Sequence, residues 1–258
     1  MSAIITTRHY LKRALTSPIE LALMLVLPMA IIALQLAIMA DIETIMGFPL
    51  MYQGYNLLNT NVVMMVMLMF VFMSGGYAGE YLFLDLRSAN RWRLNAAPVA
   101  SAAYVFGTIA TGTILGCISA TLILVVGHIF FNVYVGSLIV IIPVVVLSAL
   151  MSQFIGIIVA LFAKSRGAIN GITVGISFLM SAMLGAFFVN IPAPEFVRNW
   201  ILPMGVAARA IRADTLTPAG FREIDYSMTD SFVSLGIMVG MTVLFAAVTL
   251  ILARRRPA

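Results

Sequence analysis

Long apolar runs, separated by short segments that hold nearly all of the charge, dominate the chain. Six runs reach the roughly 20 residues that a helix needs to cross a hydrocarbon core. They are Leu21–Ala40, Leu57–Tyr77, Ala102–Val126, Ser137–Ala163, Ala168–Val189 and Ser231–Ala253. Each is too long for a strand, and no alternation of about ten residues with turn punctuation appears. The pattern predicts an all-α integral membrane protein of six transmembrane helices, forming a single transmembrane domain over residues 1–258. Pro28 should kink the first span, and Pro143 the fourth.

Composition narrows the classes. Apolar residues make up 62% of the chain and charged residues 10%, with a mean hydropathy of +1.07. A soluble domain usually carries about 25% charged residues. A soluble enzyme, a disordered chain and a secreted disulfide scaffold are therefore excluded. The single Cys117 lies in an apolar run and reads as a small packed hydrophobe. The net charge of +5 reads as membrane anchoring, with no nucleic-acid partner.

Basic residues set the orientation. Arg8, Lys12 and Arg13 precede the first span, and Arg87, Arg91 and Arg93 follow the second. Lys164 and Arg166 follow the fourth, and Arg254, Arg255 and Arg256 the sixth. Those are eleven of the fifteen basic residues. The other four (Arg198, Arg209, Arg212 and Arg222) share one loop with five acids. Both termini are thus expected in the cytoplasm, in a multi-pass protein of the plasma (inner) membrane. The first apolar run is too long for a typical signal peptide and lacks a small-residue cleavage site, so no cleavage is expected.

The polar segments are distinctive. Residues 1–17 form a basic amphipathic segment suited to the cytoplasmic interface, or an ordinary anchoring tail. Residues 80–98 are the longest cytoplasmic connection, with both charge signs; they suit a short amphipathic helix or a charged loop. Residues 190–230 contain four prolines and two potential short helices, Glu195–Leu202 and Met204–Asp214, broken at Pro203. These would dip into the outer leaflet as re-entrant half-helices. Small residues recur at four-residue spacing at Gly112/Gly116, Gly167/Gly171/Gly175 and Gly236/Gly240, as close helix packing requires. Hydroxyl stripes appear at Ser148/Ser152 and at Thr173/Ser177/Ser181; they either glue helices together or line a cavity. No acidic or basic residue falls deep inside any of the six runs.

Much chemistry is missing. The two lysines, Lys12 and Lys164, follow no phosphate-binding loop, so the chain cannot bind ATP in that way. Two histidines and one cysteine cannot assemble a His/Cys metal cluster. Ser74 and His128, the pair an intramembrane protease would use, belong to opposite ends of their spans. Spans without buried acids weigh against a proton-coupled carrier.

Three segments in order resemble one family. The basic start runs into Ser17-Pro18 and then Leu27-Pro28. Asp85-Leu-Arg87, Arg91-Trp-Arg93-Leu94 and Ala97-Pro98-Val99 follow the second run, with Ala97 where the family often has Thr. Leu202-Pro203-Met204 opens a short helix in the last outer loop. Together they resemble the membrane (permease) subunits of ATP-binding-cassette exporters of the type-two family, across essentially the whole chain. The resemblance implies a dimer, a homodimer or a pair with a related subunit, and a separate ATPase subunit that holds the ATP and magnesium. This chain would need no cofactor and would not itself be an enzyme. It further implies an N-terminal connecting helix and a coupling helix within residues 80–98, with Glu80, Asp85, Arg87, Arg91 and Arg93 facing the ATPase. Met65, Met69, Thr173, Ser177 and Ser181 become cavity-lining candidates, and Met183, Leu184, Phe187 and Phe188 an outer gate. The cargo would be amphipathic or hydrophobic: a drug, antibiotic, peptide or lipid. A passive channel or ion-coupled carrier, and an intramembrane enzyme, are the alternative classes.

Overall fold

The Met-rich helix sits at the centre of the molecule. The computed structural model describes residues 2–16, 26–38, 51–52, 54–87, 101–185, 191–215 and 227–255. Within them run α1 (Ser2–Thr16), α2 (Val26–Ile38), a two-residue hairpin pair β1 (Met51–Tyr52) and β2 (Tyr55–Asn56), α3 (Leu57–Met73) and α4 (Gly75–Arg87). Then come α5 (Ser101–Phe131), α6 (Leu138–Phe162), α7 (Arg166–Met183), a π-helical turn at Val197–Ile201, α8 (Pro203–Thr215) and α9 (Met228–Arg255). Among the described residues, four helical stretches are long and apolar enough to cross a membrane: Leu57–Leu84, Val105–Phe131, Leu138–Phe162 and Met228–Ala253. The coarse expectation of a helical membrane protein therefore holds. Of the first and fifth runs, the described residues form the helices α2 and α7.

Local chemistry explains the helix ends. Asn56 caps α3, its side chain accepting from the backbone N–H groups of Leu58 and Asn59 at 2.9 and 3.0 Å. Ser165 caps α7 by accepting from the Ala168 N–H at 3.2 Å. Pro203 occupies the first position of α8, where its missing N–H costs nothing. Gly136 (φ +76°) makes the turn into α6.

α3 packs against α5, α6, α7 and α8. Val63 through Leu68 are almost wholly buried, in one cluster with Ile123 of α5, Val144 of α6, Met180 of α7 and Val206 of α8. By contrast, 11% of the most apolar stretch of α9 is buried, so that helix is peripheral. Lipid is as apolar as a methionine side chain, so burial of this kind stabilises through close packing rather than removal from water.

The second apolar run extends further than its sequence suggested. α3 passes through one turn residue, Ser74, into α4, and the apolar stretch reaches Leu84. Gly75, Gly76 and Gly79 let helices approach closely here. A Cβ on Gly75 would lie 2.0 Å from the Ser152 carbonyl oxygen, and one on Gly156 would lie 1.7 Å from that of Gly75. α4 and α6 therefore touch backbone to backbone.

Candidate functional site

Three polar nodes punctuate the bundle, one at each end and one between. At the first end, Glu80 of α4 is 4% exposed. It pairs with Arg166 (Nη2 to Oε2, 2.8 Å) and accepts a hydrogen bond from the Asn170 amide, both from the start of α7. A buried carboxylate needs such compensation. The node ties α4 to α7, and Glu80 is turned into the protein's own interior rather than outward. Glu80 lies near the Leu84 end of the Leu57–Leu84 stretch.

The middle node lies at the α3–α4 junction. The Gln153 amide nitrogen donates to the Ser74 and Ser152 hydroxyls at 3.1 and 3.0 Å. Those hydroxyls donate in turn to the Val71 and Ala149 carbonyls. Gln153 Oε1 is buried without a hydrogen-bond partner among the described residues and rests against Gly112, where a Cβ would come within 2.0 Å of it. One side chain thus joins the α3–α4 junction, α5 and α6, and a glycine makes room for it.

The far end gathers the charges of the last loop. α8 is buried on nearly every face among α3, α6 and α9. Arg209 stacks 3.8 Å from the Trp200 ring centre and pairs with Asp230 at the start of α9. Arg212 Nε donates to Asn61 Oδ1 at 3.1 Å. Asp214, 2% exposed, accepts the Ser137 N–H at 2.6 Å. Burial pushes the Asp214 carboxyl above the usual carboxylate range, and the Ser137 N–H draws it partway back. The sequence placed Arg209 and Arg212 in a loop with five acids; the structure gives each a partner from a distant element.

The remaining expected residues fall as follows. Met65 and Met69 lie in the α3 core at 0% and 2% exposure. Thr173, Ser177 and Ser181 are buried on the inner face of α7. Thr173 donates to the Ile169 carbonyl, Ser177 to that of Thr173, and Ser181 to the Met204 sulfur at 3.4 Å. All five side chains are buried in the chain. The outward face of α7 carries Ile172, Val174, Phe178 and Leu179 instead, with Gly171 and Gly175 facing open space. Leu184 is buried and joins the α3 cluster, and Met183 is half-buried. Asp85 and Arg87 lie in the last turn of α4. Arg91, Arg93, Phe187 and Phe188 lie outside the described residues.

Sequence reasoning missed Arg166 and Asn170 as partners of Glu80, the Gln153 node, and Trp200 beneath Arg209. Continuity of hydropathy across Gly75–Gly79 was the available signal for the first. No group of three or more His, Cys, Asp or Glu side chains able to hold a metal occurs among the described residues. No family model, curated protein or solved structure matches this chain.

Proposed function

We propose that this chain is the membrane subunit of a two-component exporter driven by ATP hydrolysis on a separate subunit, of the type-two ATP-binding-cassette kind. The observation that carries the reading is the ordered set of motifs, above all the two-sign segment from Asp85 to Pro98 that begins where the Leu57–Leu84 stretch ends. The buried short helix α8 before the last long helix is in keeping with it. On this reading the protein has six spans, with α2 and α7 completing the four long ones. It works as a dimer in the plasma membrane with both termini in the cytoplasm. Asp85, Arg87, Arg91 and Arg93 meet the ATPase, while Glu80 anchors the base of α4 to α7. The cargo is amphipathic or hydrophobic.

A second reading, an ion-coupled carrier, gains from one observation: Glu80 is a buried carboxylate on a membrane-length helix. Purification of the tagged chain from gently solubilised membranes separates the two. The exporter reading expects an ATPase bearing a phosphate-binding loop to accompany the chain. A chain that arrives without an ATPase, and moves protons or sodium when reconstituted alone, supports the carrier.

A further inference from the structure

The outward face of α1 is cationic and apolar at once. Tyr10 and Ala14 turn inward: Tyr10 stacks on Tyr81 of α4 at 4.8 Å, and Ala14 packs with Leu115 of α5. Thr6 meets Gly107, and the Thr7 carbonyl accepts from the Thr111 hydroxyl. α1 therefore leans along the first turns of the apolar stretch Val105–Phe131. With 3.6 residues per turn, Arg8 and Lys12 fall at the middle of the opposite face. Both are exposed, and neither has an ion pair among the described residues. Ile4, Ile5 and Leu15 share that face at 75%, 60% and 44% exposure. Neither α1 nor α5 holds an acidic residue; on α4, Glu80 is held by Arg166, and Asp85 lies in the last turn of the helix. Among the described residues, no ion pair compensates the positive charge of this face.

We infer that the outer face of α1 is a docking surface for the phosphate headgroups of anionic phospholipids, independent of what the protein carries. Water would solvate the two cations but leave three large aliphatic side chains exposed beside them. A lipid surface satisfies both: Ile4, Ile5 and Leu15 enter the acyl boundary, while Arg8 and Lys12 extend along it to the phosphates. Arg8 makes bidentate phosphate contacts, and Lys12 one turn on adds a point charge. The contact gives the chain a preference among lipids rather than mere membrane residence. Arg13, exposed and over the Tyr81 ring at 5.8 Å, sits on the flank of α1, away from the middle of this surface.

The test reads lipid identity at one position. In a Cys117→Ser background, Ile5→Cys is labelled with a small fluorophore. The full chain is reconstituted into equimolar phosphatidylcholine and phosphatidylglycerol, with one or the other lipid brominated as a quencher. Quenching should favour brominated phosphatidylglycerol by roughly five-fold, the worth of about one basic residue at an anionic surface. The preference should shrink as salt is raised. Arg8→Gln with Lys12→Gln should bring the ratio close to parity while quenching by both lipids persists. Equal quenching in the parent protein, or an undiminished preference in the double variant, overturns the inference. So does a label that neither lipid quenches.

Discussion

Replacing Gly156 with alanine tests the backbone-to-backbone contact between α4 and α6. The new Cβ would sit 1.7 Å from the Gly75 carbonyl oxygen and 2.5 Å from its carbon. Relief to an ordinary contact of 3.4 Å requires α4 and α6 to separate by about 1.7 Å, because the obstruction is backbone and cannot rotate away. A gap of about 1 Å already forfeits up to half of each dispersion well along the interface. The cost should lie at the upper end of overpacking, about 3 kcal/mol. At about 2–4 °C per kcal/mol for a chain of this size, the midpoint should fall by about 6–12 °C. Thermal unfolding in mild detergent reads this directly. Gly171→Ala and Gly240→Ala are the controls, since a Cβ at either meets nothing within 4 Å. Better helix propensity should leave their midpoints unchanged or slightly raised. A Gly156→Ala protein as stable as its parent, or controls equally damaged, would refute the packing argument.

Other consequences follow from the polar nodes and the charge distribution. Arg166→Ala strands the buried Glu80 carboxylate and should cost about 1–2 kcal/mol, less than a fully buried pair because Arg166 is half exposed; Glu80→Gln should be milder, and melting curves of the two variants rank them. Because the folded-state pKa of Asp214 is raised, its contribution to stability is fully present below the unfolded value near 3.8 and is lost as pH rises through the folded value. Asp214→Asn should therefore reduce the fall in melting midpoint as pH rises above about 3.8, whereas Asp214→Ala should destabilise by leaving the Ser137 N–H unpaired, roughly 1–3 kcal/mol. Reporter fusions after Pro98, after Gly167 and at Ala258 should read cytoplasmic, and fusions at Gly47, Asn132 and Leu216 external; a cytoplasmic signal at Leu216 would invert or shorten the scheme.

Hydropathy alone located most helices. α6 begins one residue after the expected Ser137, and α8 covers the expected Met204–Asp214 helix with one residue more at each end. α9 brackets the expected Ser231–Ala253 run. The end of the second run was less legible, for a physical reason. Glycines and a glutamate signal a loop when read locally, yet Gly75 and Gly79 are tolerated in a helix where α6 packs directly on the backbone. Glu80 is tolerated because Arg166 and Asn170, about ninety residues away, neutralise it. Such pairings are properties of the fold and leave no local trace. The hydroxyl stripe on α7 illustrates the same limit. Its spacing suits a helix contact or a cavity lining, and its burial against α3 and α8 is a property of the fold that the spacing does not reveal.

The central claim is that a separate ATPase works this chain through the segment after α4. Its most direct measurement is co-purification of an ATP-binding-cassette ATPase with the tagged chain, before and after reversing Arg91 and Arg93 to glutamate. If those arginines meet a complementary surface, reversal strands buried partner groups at a cost of roughly 2–5 kcal/mol. The account predicts that the parent chain retains the ATPase at low and moderate salt. The reversed chain should be inserted normally yet lose the ATPase. An inserted, reversed chain that keeps the ATPase, or a parent chain that never binds one, would contradict the account.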